Sequence, residues 1–234
     1  MPDLPPALFV TGTDTGVGKT RVAARLVESL RASGIATVGF KPVLSGPDRG
    51  DAEALWKASG GGEIDTAPTI DEINPVWLQI PAAPLSAALA GETEAGQISR
   101  CLLLDSFEAL ATRCEFVVIE GAGGWEVPIT ETESFADLAQ AFAAPVLVVA
   151  ANRLGVLNHT LLTVAAVRQR GLDCRGVVLN EIEPPDPDNA ARATNLEVLR
   201  RCLPDLPVRP MEWEAEGNFE REDLEALGVT GENG

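Results

Sequence analysis

A glycine-rich segment near the start of the chain could bind phosphate. Residues 12–20 read Gly-Thr-Asp-Thr-Gly-Val-Gly-Lys-Thr, between an apolar run and a segment of helical period. In such a loop, backbone N–H groups converge on phosphate oxygens, a lysine supplies positive charge and a threonine hydroxyl can bind Mg²⁺. Five residues separate Gly12 from Gly18, where the common motif has four. The segment predicts a site for a nucleoside triphosphate and Mg²⁺, formed by Gly16, Val17, Gly18, Lys19 and Thr20.

A carboxylate lies where the metal of such a site needs one. Glu120 directly follows the apolar run at residues 116–119. Burying a carboxylate beside an apolar strand costs several kcal/mol unless a cation or hydrogen bonds compensate. Glu120 is therefore a candidate metal ligand, and a capping or ion-pairing role stays open. Only three of the 18 basic residues are lysines, and two of them, Lys19 and Lys41, are predicted at strand tips, where a compact ammonium suits phosphate.

The elements that must position these residues alternate along the chain. Short apolar runs rich in β-branched residues predict strands at 7–10, 37–40, 116–119, 146–150 and 176–179. Segments of helical period predict helices at 21–31, 98–112, 134–142, 157–170 and 190–202. This alternation predicts an α/β fold of three layers, with a doubly wound, mainly parallel sheet. Phosphate sites lie at the carboxyl ends of strands in such sheets.

Length and composition predict a single domain covering residues 1–234. Residues 59–93, rich in Gly, Pro and Ala, are interpreted as an excursion over the active site. Residues 214–234 form an acidic C-terminal segment, with a short helix expected near 222–227 and a frayed end. The net charge of −17 argues against nucleic acid or an anionic membrane as partner, because both need clustered Lys and Arg.

The four cysteines are far apart and have no histidine near them. They predict neither a zinc site nor disulfides, and we interpret them as reduced. No apolar stretch of about 18 residues is present, and the N-terminus lacks the form of a secretory signal. The sequence therefore predicts a cytoplasmic protein.

Four segments in series resemble one family. They are residues 12–20, Lys-Pro-Val-Leu-Ser-Gly at 41–46, Glu-Gly-Ala-Gly-Gly at 120–124 with Val-Pro at 127–128, and Leu-Gly-Val-Leu-Asn-His-Thr-Leu-Leu-Thr at 154–163. Together they are similar to the dethiobiotin synthetases over about residues 7–180. The resemblance implies a P-loop fold and an ATP- and Mg²⁺-dependent closure of a cyclic urea on 7,8-diaminononanoate with CO₂, through a carbamate and its mixed anhydride with phosphate.

The resemblance also implies a role for each matching residue. The catalytic group would be Lys41, Lys19 and Thr15, and the metal group Thr20, Asp51 and Glu120. The substrate group would be Ser45, Gly121, Gly123, Gly155 and Asn158, with Asn180 reading the adenine of ATP. Gly155 and Asn158 would serve the partner subunit of a homodimer, by placing a helix N-terminus at the substrate carboxylate, where free N–H groups favour an anion.

Two positions leave alternatives open. We prefer Asp51 as metal ligand because it opens a predicted helix, which it could cap while facing the ion. Asp48 competes for that role, and Asp51 as a plain N-cap is the other alternative. Leu85 stands beside Pro84, where relatives often have a histidine.

Two other functions compete with this interpretation. Another amide-forming P-loop ligase would usually carry a glutamine-hydrolysing domain, for which the chain has no room and no Cys–His pair. A partition-type ATPase switch usually has a lysine early in the loop, where this chain has Asp14. The acidic charge also suits neither of the surfaces on which such switches dock.

Overall fold

The computed structural model describes residues 6–63, 66–184, 186, 189–214 and 219–229. Its strands are β1 Ala7–Gly12, β2 Thr37–Phe40, β3 Val43–Ser45, β4 Val76–Leu78, β5 Phe116–Gly124, β6 Val146–Ala151, β7 Cys174–Asn180 and β8 Val208–Met211. Its helices are α1 Lys19–Ala32, α2 Gly50–Ala58, α3 Ile70–Ile73, α4 Pro84–Leu89, α5 Arg100–Ala111, α6 Phe135–Ala141, α7 Val156–Gln169, α8 Ala190–Cys202 and α9 Arg221–Ala226. A short 3-10 turn covers Ala95–Gln97.

A six-stranded sheet organises the fold. Its order is β2-β5-β1-β6-β7-β8, and every pairing is parallel. Every residue of β1 and of β6 is buried, so side chains on both faces of the sheet are covered by helices. The predicted three-layer α/β class is confirmed. Because the strands are parallel, the loops after β1, β2, β5, β6 and β7 all leave the same edge of the sheet.

Three short strands were not among those predicted from the sequence. β3 and β4 pair in parallel as a separate two-stranded sheet, and β8 extends the main sheet beside β7. Residues 59–93 are therefore not a plain excursion, because they contain α3, β4 and α4. The short acidic helix is present as α9, and the expected frayed end at 230–234 lies outside the described residues.

The start of α2 corrects the expected role of Asp51. The helix begins at Gly50 with Arg49 in the N-cap position, so Asp51 lies inside the first turn and does not cap it. The carboxylate of Asp48 accepts a hydrogen bond from the Gly50 N–H at 3.0 Å instead. Both interpretations of Asp51 as an N-cap are therefore wrong.

The cysteines and the helices bear on the sequence-based expectations about disulfides and membrane spans. All four cysteines, which lie within the described residues, are free thiols. In the described part of the chain, no helix is both long and apolar enough to cross a membrane.

Candidate active site

The phosphate loop joins β1 to α1. Gly18 precedes the helix with φ +89°, in the left-handed region that favours glycine. A Cβ at Gly18 would also lie 2.0 Å from Nδ2 of Asn180. Lys19 folds back over the loop and donates a hydrogen bond to the carbonyl of Asp14 at 3.0 Å. The loop thus has the positive-φ glycines, Gly16 and Gly18, and the ammonium folded over it that phosphate binding requires.

Asp14 is held by a residue that the sequence analysis did not single out. Its carboxylate accepts from the Thr15 N–H at 2.7 Å and forms an ion pair with Arg153 at 3.0 Å. Arg153 lies after β6, so this contact needs tertiary structure, and nothing in the local pattern signals it. Both partners are about half exposed, which makes the pair weak in energy.

Beside the loop, four polar side chains meet in a cluster, of which Lys41 and Glu120 are buried. The Lys41 ammonium lies 2.6 Å from Oε1 of Glu120 and 3.1 Å from Oδ2 of Asp51. Lys41 also donates to the carbonyl of Gly121 at 3.3 Å. The Thr20 hydroxyl donates to Oε1 of Glu120 at 2.8 Å. Lys41 follows β2, Glu120 is in β5, Asp51 is in α2 and Thr20 is in α1, so the cluster joins four elements.

Burial and charge set the protonation of this cluster. Burial alone would lower the pKa of Lys41, but the charges of Glu120 and Asp51, with their hydrogen bonds, raise it above its ordinary value. Burial raises the pKa of Glu120, and Lys41 opposes that effect. For Asp51, Lys41 and Thr20 outweigh burial and lower the pKa. We therefore describe Lys41 as an ammonium facing two carboxylates.

The pKa of Lys19 shifts in the opposite direction to that of Lys41. Burial, reinforced by the nearby charge of Lys41, lowers its pKa to about 8. Its nearest bonded partner is a neutral carbonyl, whereas Lys41 contacts two carboxylates. Negative charge brought into the loop, such as a phosphate, would stabilise the ammonium of Lys19.

A cavity of about 640 Å³ opens over the loop and the cluster. Its volume lies within the range of small-molecule sites. The predicted residues that line it are Thr15, Gly16, Gly18, Lys19, Thr20, Lys41, Ser45, Asp51, Glu120 and Gly123. No role was predicted for the remaining, mostly apolar lining, although some of it lies in the segments quoted for the resemblance: Leu44, Pro81, Ala82, Ala83, Pro84, Ala122 and Val127. Pro81 to Pro84 belong to the 59–93 segment, whose composition gave the only signal.

Other predicted residues lie away from this cavity. Val17 is buried under the loop and Gly121 contributes its carbonyl to Lys41. The amide of Asn180 donates to the Val17 carbonyl at 2.9 Å and accepts from Arg21 at 3.1 Å. Gly155 caps α7 with φ +92°, and Asn158 is an exposed residue in the first turn of that helix. Asp48 is exposed and bonded to Gly50, while Asp51 lines the cavity.

Two buried side-chain oxygens in the site have no hydrogen-bond partner and could contact a ligand. Oε2 of Glu120 and Oγ of Ser45 are buried and lack a hydrogen-bond partner. A buried unsatisfied carboxylate oxygen is costly, and a hard cation would satisfy it. The described residues contain no group of three or more His, Cys, Asp or Glu that could hold a metal by itself. The oxygens of Thr20, Asp51 and Glu120 are hard donors of the kind that Mg²⁺ takes, and phosphate oxygens could supply the remaining ligands.

Sequence comparisons agree with the resemblance. A family described as an AAA domain matches residues 6–210. An ATP-dependent dethiobiotin synthetase of Anaeromyxobacter dehalogenans is 48% identical over 210 residues, which cover 87% of this chain and 90% of the relative. The synthetase of Akkermansia muciniphila is 44% identical over 200 residues, covering 86% and 88%. That of Xanthomonas oryzae pv. oryzae is 40% identical over 219 residues, covering 88% and 92%.

Solved structures show the same architecture at lower identity. A variant of McdA from Cyanothece in complex with ATP has a TM-score of 0.55 at 15% identity and covers 97% of each chain. A ParA family ATPase from Chlorobium tepidum has a TM-score of 0.52 at 12% identity, covering 95% of this chain and 88% of the other. At these identities the likeness concerns the fold alone.

Proposed function

The chain belongs to the family of ATP-dependent dethiobiotin synthetases, and we propose that it catalyses their reaction, closing a cyclic urea on 7,8-diaminononanoate with CO₂ and ATP. The observation that carries the proposal is identity of 40–48% over most of both chains. The McdA variant and the ParA family ATPase share the fold at 15% and 12% identity, so they support the architecture but not the activity.

The lining of the cavity is suited to such a substrate. Leu44, Pro81, Ala82 and Val127 provide apolar surface on which an aliphatic chain can lie. The buried, unpartnered hydroxyl of Ser45 can hydrogen-bond a carbamate or an amine. Apolar walls with few convergent polar groups are the usual composition of a small-molecule site.

The proposed chemistry has three steps, and each places charge on oxygen. One amine attacks CO₂ and loses a proton, which gives a carbamate. A carbamate oxygen then attacks the γ-phosphorus of ATP, and ADP leaves. The second amine attacks the carbamoyl carbon, the new C–N bond closes the ring, the C–O bond to phosphate breaks and inorganic phosphate leaves, while the attacking nitrogen loses one proton to solvent. Lys19 and Lys41 stabilise the developing negative charge from fixed positions, and Thr15 lines the same part of the cavity.

We assign Thr20, Asp51 and Glu120 to Mg²⁺ because they offer hard oxygens beside the phosphate loop. Bound there, the ion would neutralise charge on the ATP phosphates. The other residues act without it: the loop binds phosphate through its N–H groups, and Lys41 holds its proton between two carboxylates. Adenine recognition by Asn180 is part of the proposal, since an amide can donate to a base and accept from it at once.

Gly155 and Asn158 lead us to propose a homodimer with active sites at its interface. They lie away from the cavity of their own chain, at the N-terminus of α7. The same region exposes Leu154 by 88% and Leu162 by 62%, apolar surface that a second copy could cover. The substrates are small molecules, and we propose a cytoplasmic location with neither nucleic acid nor membrane as partner.

Product analysis tests the activity. The purified protein is incubated with ATP, Mg²⁺, bicarbonate and 7,8-diaminononanoate, with each component omitted in turn, and products are identified by mass spectrometry. We expect the cyclic urea, ADP and phosphate only in the complete mixture. ATP hydrolysis that is unaffected by the diamine but stimulated by DNA would instead favour a partition-type ATPase switch.

Complementation tests the shared site. Lys41→Met and Asn158→Ala place their defects on the two sides of the proposed interface. Each variant alone should be nearly inactive, whereas co-expression forms mixed dimers in which one of the two sites is intact. We expect roughly a quarter of wild-type activity in the random mixture. Activity no higher than that of the single variants would contradict the shared site.

A further inference from the structure

We propose that Arg49, acting through the amide of Asn74, is a positioning residue that fixes the Lys41 ammonium relative to the Asp51 carboxylate. The inference rests on the proposed function of the charged cluster. It concerns two residues outside the cavity lining: Arg49 in the loop before α2, and Asn74 in the 59–93 segment, for which sequence patterns predicted only an excursion.

Arg49 is bonded on every side of its guanidinium. Nε donates to Oδ1 of Asn74 at 3.2 Å, and Nη1 donates to Asp71 at 2.6 Å. Nη2 donates to the carbonyls of Ile70 at 3.1 Å and of Asn74 at 2.8 Å. The guanidinium carbon also lies 5.4 Å from the centroid of the Trp77 ring. The planar guanidinium donates to several acceptors at once, which the single ammonium of a lysine cannot reproduce in this geometry.

Asn74 connects Arg49 to the backbone of Lys41. It is 2% exposed, and its Nδ2 donates to the carbonyls of Lys41 at 2.9 Å and of Val76 at 2.8 Å. The Lys41 N–H donates to the carbonyl of Ile73 at 2.8 Å. Both backbone polar groups of Lys41 are therefore held by two consecutive residues. Because a guanidinium can only donate, Arg49 also fixes which end of the Asn74 amide faces Lys41.

The backbone of Arg49 leads directly to Asp51. Arg49 occupies the N-cap position of α2, and its carbonyl accepts from the Glu53 N–H at 2.8 Å. Asp51 follows two residues later in the first turn. The preceding loop is held by the same segment, because Trp77 Nε1 donates to the Gly46 carbonyl at 3.0 Å. One side chain thus links the start of the helix carrying Asp51 to the peptide unit carrying Lys41.

Loss of this link should loosen the charged cluster while leaving the phosphate loop intact. None of the bonds described for Arg49 involves residues 12–20. Turnover and metal affinity depend on the relative placement of Lys41 and Asp51, whereas phosphate binding depends on the loop. Misplacement of a catalytic group by about 1 Å can lower the rate on the order of 10²-fold.

Arg113 offers a matched control. It anchors the same segment from outside, donating to Glu72 at 2.6 Å and to the Thr66 carbonyl at 3.0 Å. Glu72 lies beside Asp71, a partner of Arg49, but its carboxylate bonds to Arg113 and Thr69, whereas Asn74 bonds to Lys41. A variant at Arg113 therefore reports what simple stabilisation of this segment contributes.

The experiment compares Arg49→Lys, Arg49→Met and Arg113→Met with the wild type. We measure kcat, the KM for ATP, the Mg²⁺ concentration for half-maximal rate and the unfolding temperature. Binding of Mn²⁺ with a non-hydrolysable ATP analogue is followed by electron paramagnetic resonance. For both Arg49 variants we expect kcat to fall about 10-fold or more and metal binding to weaken, with KM for ATP changed less than about twofold. Arg113→Met should lower the unfolding temperature alone.

Two results would overturn the inference. One is unchanged kcat and metal binding in Arg49→Lys, the variant most able to fold. The other is that Arg49→Met and Arg113→Met lose stability and activity in parallel. Absence of cyclic urea with wild-type protein would defeat the proposed function instead, and the Mn²⁺ measurement would still compare the variants.

Discussion

The contact between Lys41 and Glu120 gives the sharpest prediction about stability. Lys41 is 2% exposed, Glu120 is 0% exposed, and their charged atoms lie 2.6 Å apart. Lys41→Met keeps the length and much of the volume of the side chain but leaves the carboxylate buried and unpaired. Breaking a buried pair from one side typically costs about 3–5 kcal/mol.

The structure places the expected cost near the lower end of that range. Burial already raises the pKa of Glu120, so protonation can limit the penalty once Lys41 is gone. The ion pair with Asp51, whose side chain is 49% exposed, adds little. We expect a loss of about 3 kcal/mol, and with roughly 2–4 °C per kcal/mol for a chain of this size, the unfolding temperature should fall by roughly 6–12 °C.

A double-variant cycle isolates the pair from other effects of the substitution. In Lys41→Met with Glu120→Gln, no buried charge remains unpaired at this contact, so the double variant should be more stable than Lys41→Met alone. The coupling energy should be at least about 2 kcal/mol. Urea unfolding followed by circular dichroism, with chelator and without nucleotide, measures it. Additive losses, or a Lys41→Met protein as stable as the wild type, would refute the reasoning.

Three further predictions concern other parts of the molecule. Lys41→Met should retain ATP binding while turnover falls on the order of 10²-fold or more. A substitution of the exposed Lys57, Lys57→Met, is the control. Near-normal turnover of Lys41→Met below its unfolding temperature would contradict the role of Lys41 in charge stabilisation. Burial raises the pKa of Cys114 and of Cys174 to about 11, so iodoacetamide should modify the exposed Cys101 and Cys202 first. Mass spectrometry of the modified protein measures the order, and earlier modification of Cys114 or Cys174 would contradict the prediction. Although burial opposes it, hydrogen bonds from Ser134 and Arg170 lower the pKa of Asp137. Its stabilising contribution is therefore present above the unfolded value of about 3.9 and disappears as the pH falls through the lower folded pKa. The stability difference between wild type and Asp137→Asn should shrink on acidification in urea titrations, and a constant difference would contradict this.

Local chemistry allowed much of the fold to be predicted from sequence. The strand, glycine-rich loop and helix around Lys19 depend on neighbouring residues. The short apolar runs of β1, β5, β6 and β7 are rich in β-branched residues, which favours buried strands over helix. The missed elements have the opposite character. β3 and β4 have three residues each, β8 has four and α3 has four, too few for a period to be visible.

The sequence by itself therefore determined the phosphate loop, the three-layer class and most of the residues that line the cavity. Only the tertiary structure decided which atoms meet. Lys41 and Glu120 are 79 positions apart, and they touch because β2 and β5 are neighbours in the sheet. Asp51 faces Lys41 and Asp48 accepts from Gly50, because the N-cap of α2 is Arg49, two residues before the expected Asp51. Local propensity carries no information on such contacts, since they arise from how separate elements pack.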